Sequence, residues 1–233
     1  MKHIFLTYGD DKYKESKDRL IKEATEFGFD KIYLFEPKDL SEEFKNKTRE
    51  VLDHRRGGGY WIWKSYCMKK AMDEAEYGDV IVYMDAGCSL DKKMKDKYYE
   101  YIDLVKDHEH SILSFVLSQP FHDTYKWTKK DCFDFFKITP EHPIFSKGQL
   151  MAGVVLMIKT KYTVDLINEY YEIAINHPRL FDDTCHSRNY PGFMDHRHDQ
   201  SVFNILRYLR GTVTHHNDPD NLTGPLQATR LRK

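Results

Sequence analysis

A single carboxylate follows a short apolar run in the middle of the chain. Residues 80–84 read VIVYM, and Asp85, Ala86 and Gly87 come directly after them. A carboxylate at the end of a strand can reach a cation or a ribose hydroxyl, and a nearby glycine lets a ligand approach the backbone closely. The alternative is an aspartate that forms a turn and caps the next segment. The other motifs of the chain favour the first interpretation, and Asp85 is the leading candidate for a functional residue.

The segment RRGGGYWIWK, residues 55–64, combines three consecutive glycines with positive charge from Arg55, Arg56 and Lys64. Such a loop can hold a diphosphate through backbone N–H groups and cations. It is not a Walker A sequence, and it lacks the G-x-G-x-x-G placement after a strand. The alternative is a flexible loop whose aromatic residues enter the core, namely Tyr60, Trp61 and Trp63. Both interpretations can hold together.

The third motif is HRHDQS, residues 196–201, which precedes an amphipathic pattern. Asp199 is a candidate base or acceptor for a sugar hydroxyl, and Gln200 adjoins it. The alternative is that Asp199 is the N-cap of the following helix. His196 and His198 are two residues apart, which suits a loop but is weak support for a metal site. We interpret the motif as functional.

A late segment, THHNDPDN, offers His215 or His216 as a metal ligand. The triplet from Asp218 to Asp220 resembles a DxD sequence, but Asn-Asp-Pro is ordinary turn chemistry. We therefore give the histidines more weight than the triplet.

Bulk composition excludes several classes of protein. The 233 residues suit one compact core, and the net charge of -1 gives no global field for nucleic acid. The four cysteines are scattered without a CxxC spacing, which indicates a reducing compartment. No apolar run approaches the roughly 18 residues of a membrane span, and the opening MKHIFLTYG predicts a strand rather than a signal peptide. We expect a cytoplasmic protein that binds no nucleic acid.

Strand and helix patterns alternate along the front half. We predict strands at 3–8, 31–35, 80–84, 111–117, 153–158 and 211–216, and helices at 14–28, 40–53, 65–77, 91–107, 161–175 and 199–209. Near-continuous apolar strands of this kind imply an α/β fold with a mostly parallel central sheet covered by helices on both faces. Ligands of such sheets bind beyond the carboxyl ends of the strands, where Asp85 would lie.

The order of these motifs resembles that of nucleotide-sugar glycosyltransferases with the GT-A fold. The segments are Gly59 to Lys64 (GYWIWK), Tyr83 to Gly87 (YMDAG) and His196 to Ser201 (HRHDQS). They are similar to signatures of short bacterial and giant-virus glycosyltransferases, and more distantly to the glycogenin type. The resemblance runs over nearly the whole chain. It implies a Rossmann-like GT-A domain spanning 1–233, with a nucleotide-sugar-binding half at 1–117 and an acceptor-binding half at 118–233.

The resemblance also implies roles for individual residues. In the glycogenin type, a DxD triplet and a later histidine bind manganese, which maps Mn²⁺ or Mg²⁺ onto Asp85 with His215 or His216. Gly87 stands where the second acid of the triplet is expected, so one metal ligand is missing. Asp199 and Asp85 would be catalytic. Donor contacts would come from Thr7, Tyr8, Gly9, Arg55, Lys64, Asp85, Ala86, Gly87 and Gln200. Acceptor contacts would come from Trp127, a sugar platform, and from His196 and His198.

The resulting hypothesis is an enzyme that moves a sugar from a nucleotide diphosphate sugar, a UDP-sugar above all, to a glycan or other hydroxyl acceptor. The alternative is a non-catalytic module that holds a nucleotide or glycan on the same fold. The string HRHD also suggests a phosphohydrolase of the HD type, but those domains are all-helical and the predicted strands argue against it.

Overall fold

A computed structural model describes residues 1–231 of the chain. Within these residues lie eight strands: β1 (His3–Tyr8), β2 (Lys31–Phe35), β3 (Val80–Met84), β4 (Ser89–Leu90), β5 (Ile112–Phe115), β6 (Val154–Ile158), β7 (Val213–His215) and β8 (Leu226–Gln227). Six of them form one sheet in the order β2-β1-β3-β6-β5-β7, and β4 pairs with β8 in a second small sheet. The six strands predicted from the sequence are those of the large sheet.

Ten helices flank or cap these strands in the described part of the chain. They are α1 (Lys14–Phe27), α2 (Glu42–Leu52), α3 (Gly57–Tyr60), α4 (Trp63–Glu74), α5 (Lys95–Lys106), α6 (Lys130–Phe136), α7 (Pro143–Ser146), α8 (Lys161–Asn176), α9 (Asp199–Arg210) and α10 (Asp218–Asn221). None of the helices in residues 1–231 has the length and apolar character that crossing a membrane requires.

The sheet separates two hydrophobic cores because successive side chains of a strand point to opposite faces. On β3, Ile81 and Tyr83 face a core shared with α2, α4, α8 and α9. Val80 and Val82 face the other core, which α1 and α5 cover. All five residues of β3 are buried, as a strand covered on both faces must be. The predicted α/β fold with a mostly parallel sheet and helices on both faces is confirmed.

Strand direction is where the structure adds most to the prediction. β6 runs antiparallel to both of its neighbours, β3 and β5, while the other three pairings in the large sheet are parallel. A buried run such as VVLMI has the same composition in either direction, so its pattern cannot reveal which way it runs. The stretch 118–148, for which no strand or helix was predicted, contains the short helices α6 and α7.

The triple-glycine segment folds into a left-handed turn. Five consecutive residues have positive φ: Gly57 (60°), Gly58 (57°), Gly59 (95°), Tyr60 (53°) and Trp61 (59°). The amides of residues 58 to 61 donate to carbonyls of residues 54 to 57, with N···O distances of 2.7 to 3.3 Å. These four N–H groups are therefore not available to a diphosphate, which corrects that part of the loop interpretation. The aromatic part holds for Tyr60 and Trp63, which are buried, whereas Trp61 is only partly buried.

Two neighbouring glycines of this turn form a matched pair for a stability test. A Cβ on Gly59 would lie 2.6 Å from the Leu52 Cα, whereas one on Gly58 would meet nothing closer than Trp63 Nε1 at 3.8 Å. We expect Gly58→Ala to lower the free energy of unfolding by about 1 kcal/mol through its left-handed backbone alone. Gly59→Ala should lower it by about 1–3 kcal/mol more, since a backbone atom must move. Urea denaturation of both variants checks this, and equal losses would contradict it.

Candidate active site

A cleft of about 980 Å³ opens at one edge of the large sheet. Its lining includes Tyr8 at the end of β1, Asp85 just after β3, and Gly153 just before the antiparallel strand β6. Lys64, in the first turn of α4, and Asp199, the first residue of α9, complete its floor. The cleft thus lies beyond the carboxyl ends of the parallel strands, where ligands of open α/β sheets bind.

A buried lysine joins the two candidate acids. Lys64 Nζ lies 2.6 Å from Asp199 Oδ2 and 3.3 Å from Asp85 Oδ1. It also donates to the carbonyl oxygen of Ala152 at 3.2 Å. Two of the three N–H donors of the ammonium group are used in the hydrogen bonds to Asp199 and Ala152, and Asp85 adds an ion pair. The residues predicted as separate contributors therefore form a single charged cluster.

Burial divides this cluster into an inner and an outer carboxylate. The Asp199 side chain is 6% exposed, whereas that of Asp85 is 39% exposed. Burial raises the pKa of Asp199 to about 6, the Lys64 charge opposes that rise, and the Asp85 charge adds to it. Burial lowers the pKa of Lys64, but the attraction of Asp199 and Asp85 outweighs it and leaves that pKa above its ordinary value. At neutral pH Lys64 is therefore charged and the Asp199 carboxyl is mostly ionised.

Asp85 is oriented by its neighbours on the sheet. The Tyr83 hydroxyl donates to Asp85 Oδ1 at 2.5 Å, and the Asp85 amide donates to the Gly153 carbonyl at 2.9 Å. A Cβ on Gly153 would lie 2.7 Å from Asp85 Oδ2, so any larger residue here would displace the Asp85 carboxylate. With Oδ1 taken by Tyr83 and Lys64, Oδ2 is the oxygen left to accept a hydrogen bond from a ligand.

Gly87 is explained by the chain itself. A Cβ there would lie 3.3 Å from the Leu231 carbonyl oxygen and 3.4 Å from the Arg230 Cα. The Leu231 amide and the Thr229 hydroxyl both donate to the Gly87 carbonyl, at 2.9 and 3.0 Å. We predicted that the glycine admits a ligand to the backbone, but it is the C-terminal segment that approaches there. Ala86 and Gly87 remain in the cleft lining beside that segment.

The metal site implied by the resemblance does not fit the residues of the cleft. Neither His215 nor His216 is among the described lining residues. His215 ends β7, and because β6 and β5 lie between β3 and β7, the two strands are about 14 Å apart. Its Nδ1 lies 3.4 Å from Asp218 Oδ2. Within residues 1–231, no group of three or more His, Cys, Asp or Glu side chains is arranged to hold a metal ion.

The two histidines of HRHDQS differ in position. His196 is buried away from the cleft lining, and its Nε2 lies 2.9 Å from the Leu180 carbonyl. His198 lines the cleft, and its Nδ1 lies 2.8 Å from the Phe181 carbonyl. Burial lowers the pKa of His198 to about 4, so the ring is neutral at pH 7 and Nδ1–H donates to Phe181. His198, with φ 52°, is the N-cap of α9, so the alternative that Asp199 caps this helix is wrong.

The residues expected to meet the donor base are partly in place. Tyr8 and Gly9 line the cleft, and the Tyr8 ring stacks on Trp63 with centroids 3.8 Å apart. Thr7 is fully buried and outside the described lining. Gln200 lines the cleft and accepts from the Ala152 amide at 3.3 Å, which fixes the carbonyl that Lys64 binds.

Trp127 supports a residue that the sequence interpretation overlooked. Its ring is 6% exposed and lies outside the described cleft lining. The guanidinium carbon of Arg197 stacks 4.1 Å from the ring centroid, and Arg197 does line the cleft. The ring therefore holds an arginine in place, where we predicted a platform for sugar. The available signal was the second residue of HRHDQS, because a cation two positions from a carboxylate in a functional loop is itself a candidate.

The cleft wall is rich in arginine. Arg55 and Arg56 line it as expected, and Arg56 pairs with Asp195 at 2.9 Å. Arg197 and Arg230 join them from distant parts of the chain.

Comparisons with known proteins identify the fold. No family model and no curated protein sequence matches the chain. A solved glycosyltransferase involved in glycosylation of the major capsid of PBCV-1 is 12% identical, with a TM-score of 0.54, and the match covers 97% of this chain and 92% of that one. The galactosyltransferase LgtC is 14% identical with a TM-score of 0.46, over 91% and 72% of the two chains. GlyE from Streptococcus pneumoniae is 16% identical with a TM-score of 0.48, over 95% and 47%.

The chain has a GT-A fold. At these identities the likeness is one of fold, and it rests here on the PBCV-1 structure, whose TM-score is 0.54. The fold predicted from the motif order is thereby confirmed.

The raised pKa of Asp199 gives a test of the cluster that needs no substrate. We expect the Asp199 carboxyl carbon to titrate in ¹³C NMR with a midpoint near pH 6, assigned by its loss in Asp199→Asn. Because the folded-state pKa lies above the ordinary 3.8, this group's contribution to the free energy of unfolding is fully present below about pH 4 and is lost as pH rises through about 6. A midpoint below pH 4 would show that Asp199 is not buried in this way.

Proposed function

We propose that the protein is a glycosyltransferase that moves a sugar from a nucleotide diphosphate sugar, such as a UDP-sugar, to a hydroxyl of a glycan or another acceptor. One observation carries the proposal: Asp85, Lys64 and Asp199 meet on the floor of a large cleft at the ligand-binding edge of a GT-A fold. The cleft also has the positive wall that a diphosphate requires. The assignment of UDP and of a cytoplasmic location stays a prediction from the sequence.

The reaction makes definite demands on such a cleft. The bond between the anomeric carbon and the phosphate oxygen breaks, and its electron pair leaves with the nucleoside diphosphate. The acceptor hydroxyl oxygen forms the new bond to the anomeric carbon and loses its proton to a base. Negative charge grows on the leaving diphosphate, so fixed positive groups beside it lower the barrier.

The two carboxylates have distinct roles in this proposal. Asp85 Oδ2, free of protein donors among the described residues, accepts a hydrogen bond from a donor hydroxyl. Asp199 faces the donor sugar or the acceptor hydroxyl from the floor. Its pKa of about 6 keeps it ionised at neutral pH and close to the value at which a general base is most effective. Lys64 contacts both carboxylates and fixes their positions relative to each other.

Replacing either acid should stop transfer without unfolding the protein. We expect Asp85→Asn and Asp199→Asn each to lower turnover of the correct donor by about 100-fold or more, in line with the loss of one preorganised polar group. Asp53→Asn is the control, because Asp53 also lines the cleft but its side chain is 72% exposed and pairs only with Arg49 at 3.5 Å.

Turnover is measured as release of nucleoside diphosphate from a panel of nucleotide sugars. Far-UV circular dichroism and the thermal midpoint confirm that the variants fold. Near-wild-type turnover in Asp85→Asn or Asp199→Asn would remove that residue from the mechanism, whereas a loss in Asp53→Asn would point to a general effect of charge in the cleft.

A non-catalytic binding module on the same fold is the second candidate, and Gly87 is the observation that favours it. The second acid of a DxD triplet is missing there, and the C-terminal segment occupies the adjacent space. This candidate predicts that a nucleotide binds while no nucleotide sugar is hydrolysed or transferred with any acceptor. Detectable turnover that Asp85→Asn abolishes would exclude it.

A further inference from the structure

Three guanidinium groups approach one another on the cleft wall from distant parts of the sequence. Arg56 belongs to the glycine segment, Arg197 precedes α9, and Arg230 lies in the C-terminal segment. Partial burial lowers the pKa of Arg197, Asp195 opposes that shift, and the charges of Arg56 and Arg230 lower the pKa further. Like charges repel, so such a cluster is stabilised when an anion lies between its members.

Arg197 is the member of this cluster without a carboxylate partner. Arg56 pairs with Asp195 at 2.9 Å, and Arg230 pairs with Asp220 at 2.5 Å. Among residues 1–231, the Arg197 guanidinium makes no ion pair and no side-chain hydrogen bond, and it stacks on Trp127. A guanidinium fixed on an aromatic face keeps its N–H groups aimed outward and matches phosphate oxygens two at a time.

Lys64 cannot serve as the main phosphate contact while the cluster on the floor is intact. Its ammonium group is already engaged by hydrogen bonds to Asp199 and Ala152 and by the ion pair with Asp85, and its side chain is 2% exposed. It does place one positive charge between Asp85 and Asp199, so a divalent ion that bound either acid would lie close to an ammonium group. A metal ion there would have to displace the ammonium group or bind beside it and be repelled.

We propose that this cleft binds the diphosphate of its donor through Arg197, with Arg230 and Arg56 beside it, and that it does so without a divalent metal ion. The inference rests on the proposed function and specifies how that site neutralises its leaving group. Lys64 is then a positioning residue that balances the two acids internally. The absence of a second acid at Gly87 and the distance of His215 from Asp85 both agree with a site that binds no metal ion.

Calorimetric titration with UDP, GDP and dTDP tests the proposal on the full chain. For the nucleotide that binds, we expect the same Kd within about twofold in 1 mM EDTA, in 5 mM Mg²⁺ and in 5 mM Mn²⁺. Arg197→Gln should weaken that diphosphate by about 10-fold, the size of one lost charge-assisted hydrogen bond, and leave the parent nucleoside unaffected. Arg49→Gln is the control, because Arg49 lines the cleft but is 78% exposed and pairs with Asp53.

The outcomes separate this inference from the function on which it rests. Binding or turnover that needs Mn²⁺ or Mg²⁺, or an Arg197→Gln variant that binds the diphosphate as tightly as Arg49→Gln does, would overturn the inference and leave a transferase in place. Failure of every diphosphate to bind under all three conditions would overturn both. A uniform loss of nucleoside and diphosphate binding in Arg197→Gln would mean that the side chain only shapes the cleft, which also contradicts the proposal.

Discussion

The contact of Lys64 with Asp85 and Asp199 is the interaction on which the rest of the site depends. Two carboxylates that lie close together on the floor of a cleft repel each other. A buried carboxylate without a positive partner would take up a proton. The lysine makes both acids compatible with burial, and removing one partner of such a cluster typically costs about 3–5 kcal/mol. It also puts a positive charge beside both acids, which opposes the binding of a metal ion there. One residue thus sets the charge, the geometry and the cofactor requirement proposed for the cleft.

Small residues allow this cluster to form where three chain segments converge. Gly153 leaves room for Asp85, since any Cβ there would lie 2.7 Å from its Oδ2. Gly87 leaves room for the C-terminal segment, which brings Arg230 to the cleft wall. The left-handed turn at 57–61 places Trp63 so that its indole N–H donates to the Gly57 carbonyl at 3.0 Å while its ring stacks on Tyr8. The first two contacts join segments that are distant in sequence, and the third depends on a turn whose residues have positive φ.

The fold was more predictable from the sequence than the site was. Apolar runs identified the six strands of the large sheet, and helical periodicity identified the long helices. Asp85 was a candidate because it follows β3, and α/β sheets bind ligands beyond the ends of their strands. The pairing of Lys64 with Asp199, 135 residues away, carries no local signal. The direction of β6, the approach of the C-terminal segment to Gly87 and the stacking of Arg197 on Trp127 are likewise tertiary facts. His215 was misplaced because a motif order does not specify the distance between strands.

A crystal structure of the chain grown with UDP and MnCl₂, with data collected at the manganese absorption edge, tests the central claim most directly. The account predicts a diphosphate against Arg197, Lys64 still between Asp85 and Asp199, and no anomalous peak near either acid. An anomalous peak coordinated by Asp85, with the Lys64 ammonium group displaced from the two carboxylates, would contradict it.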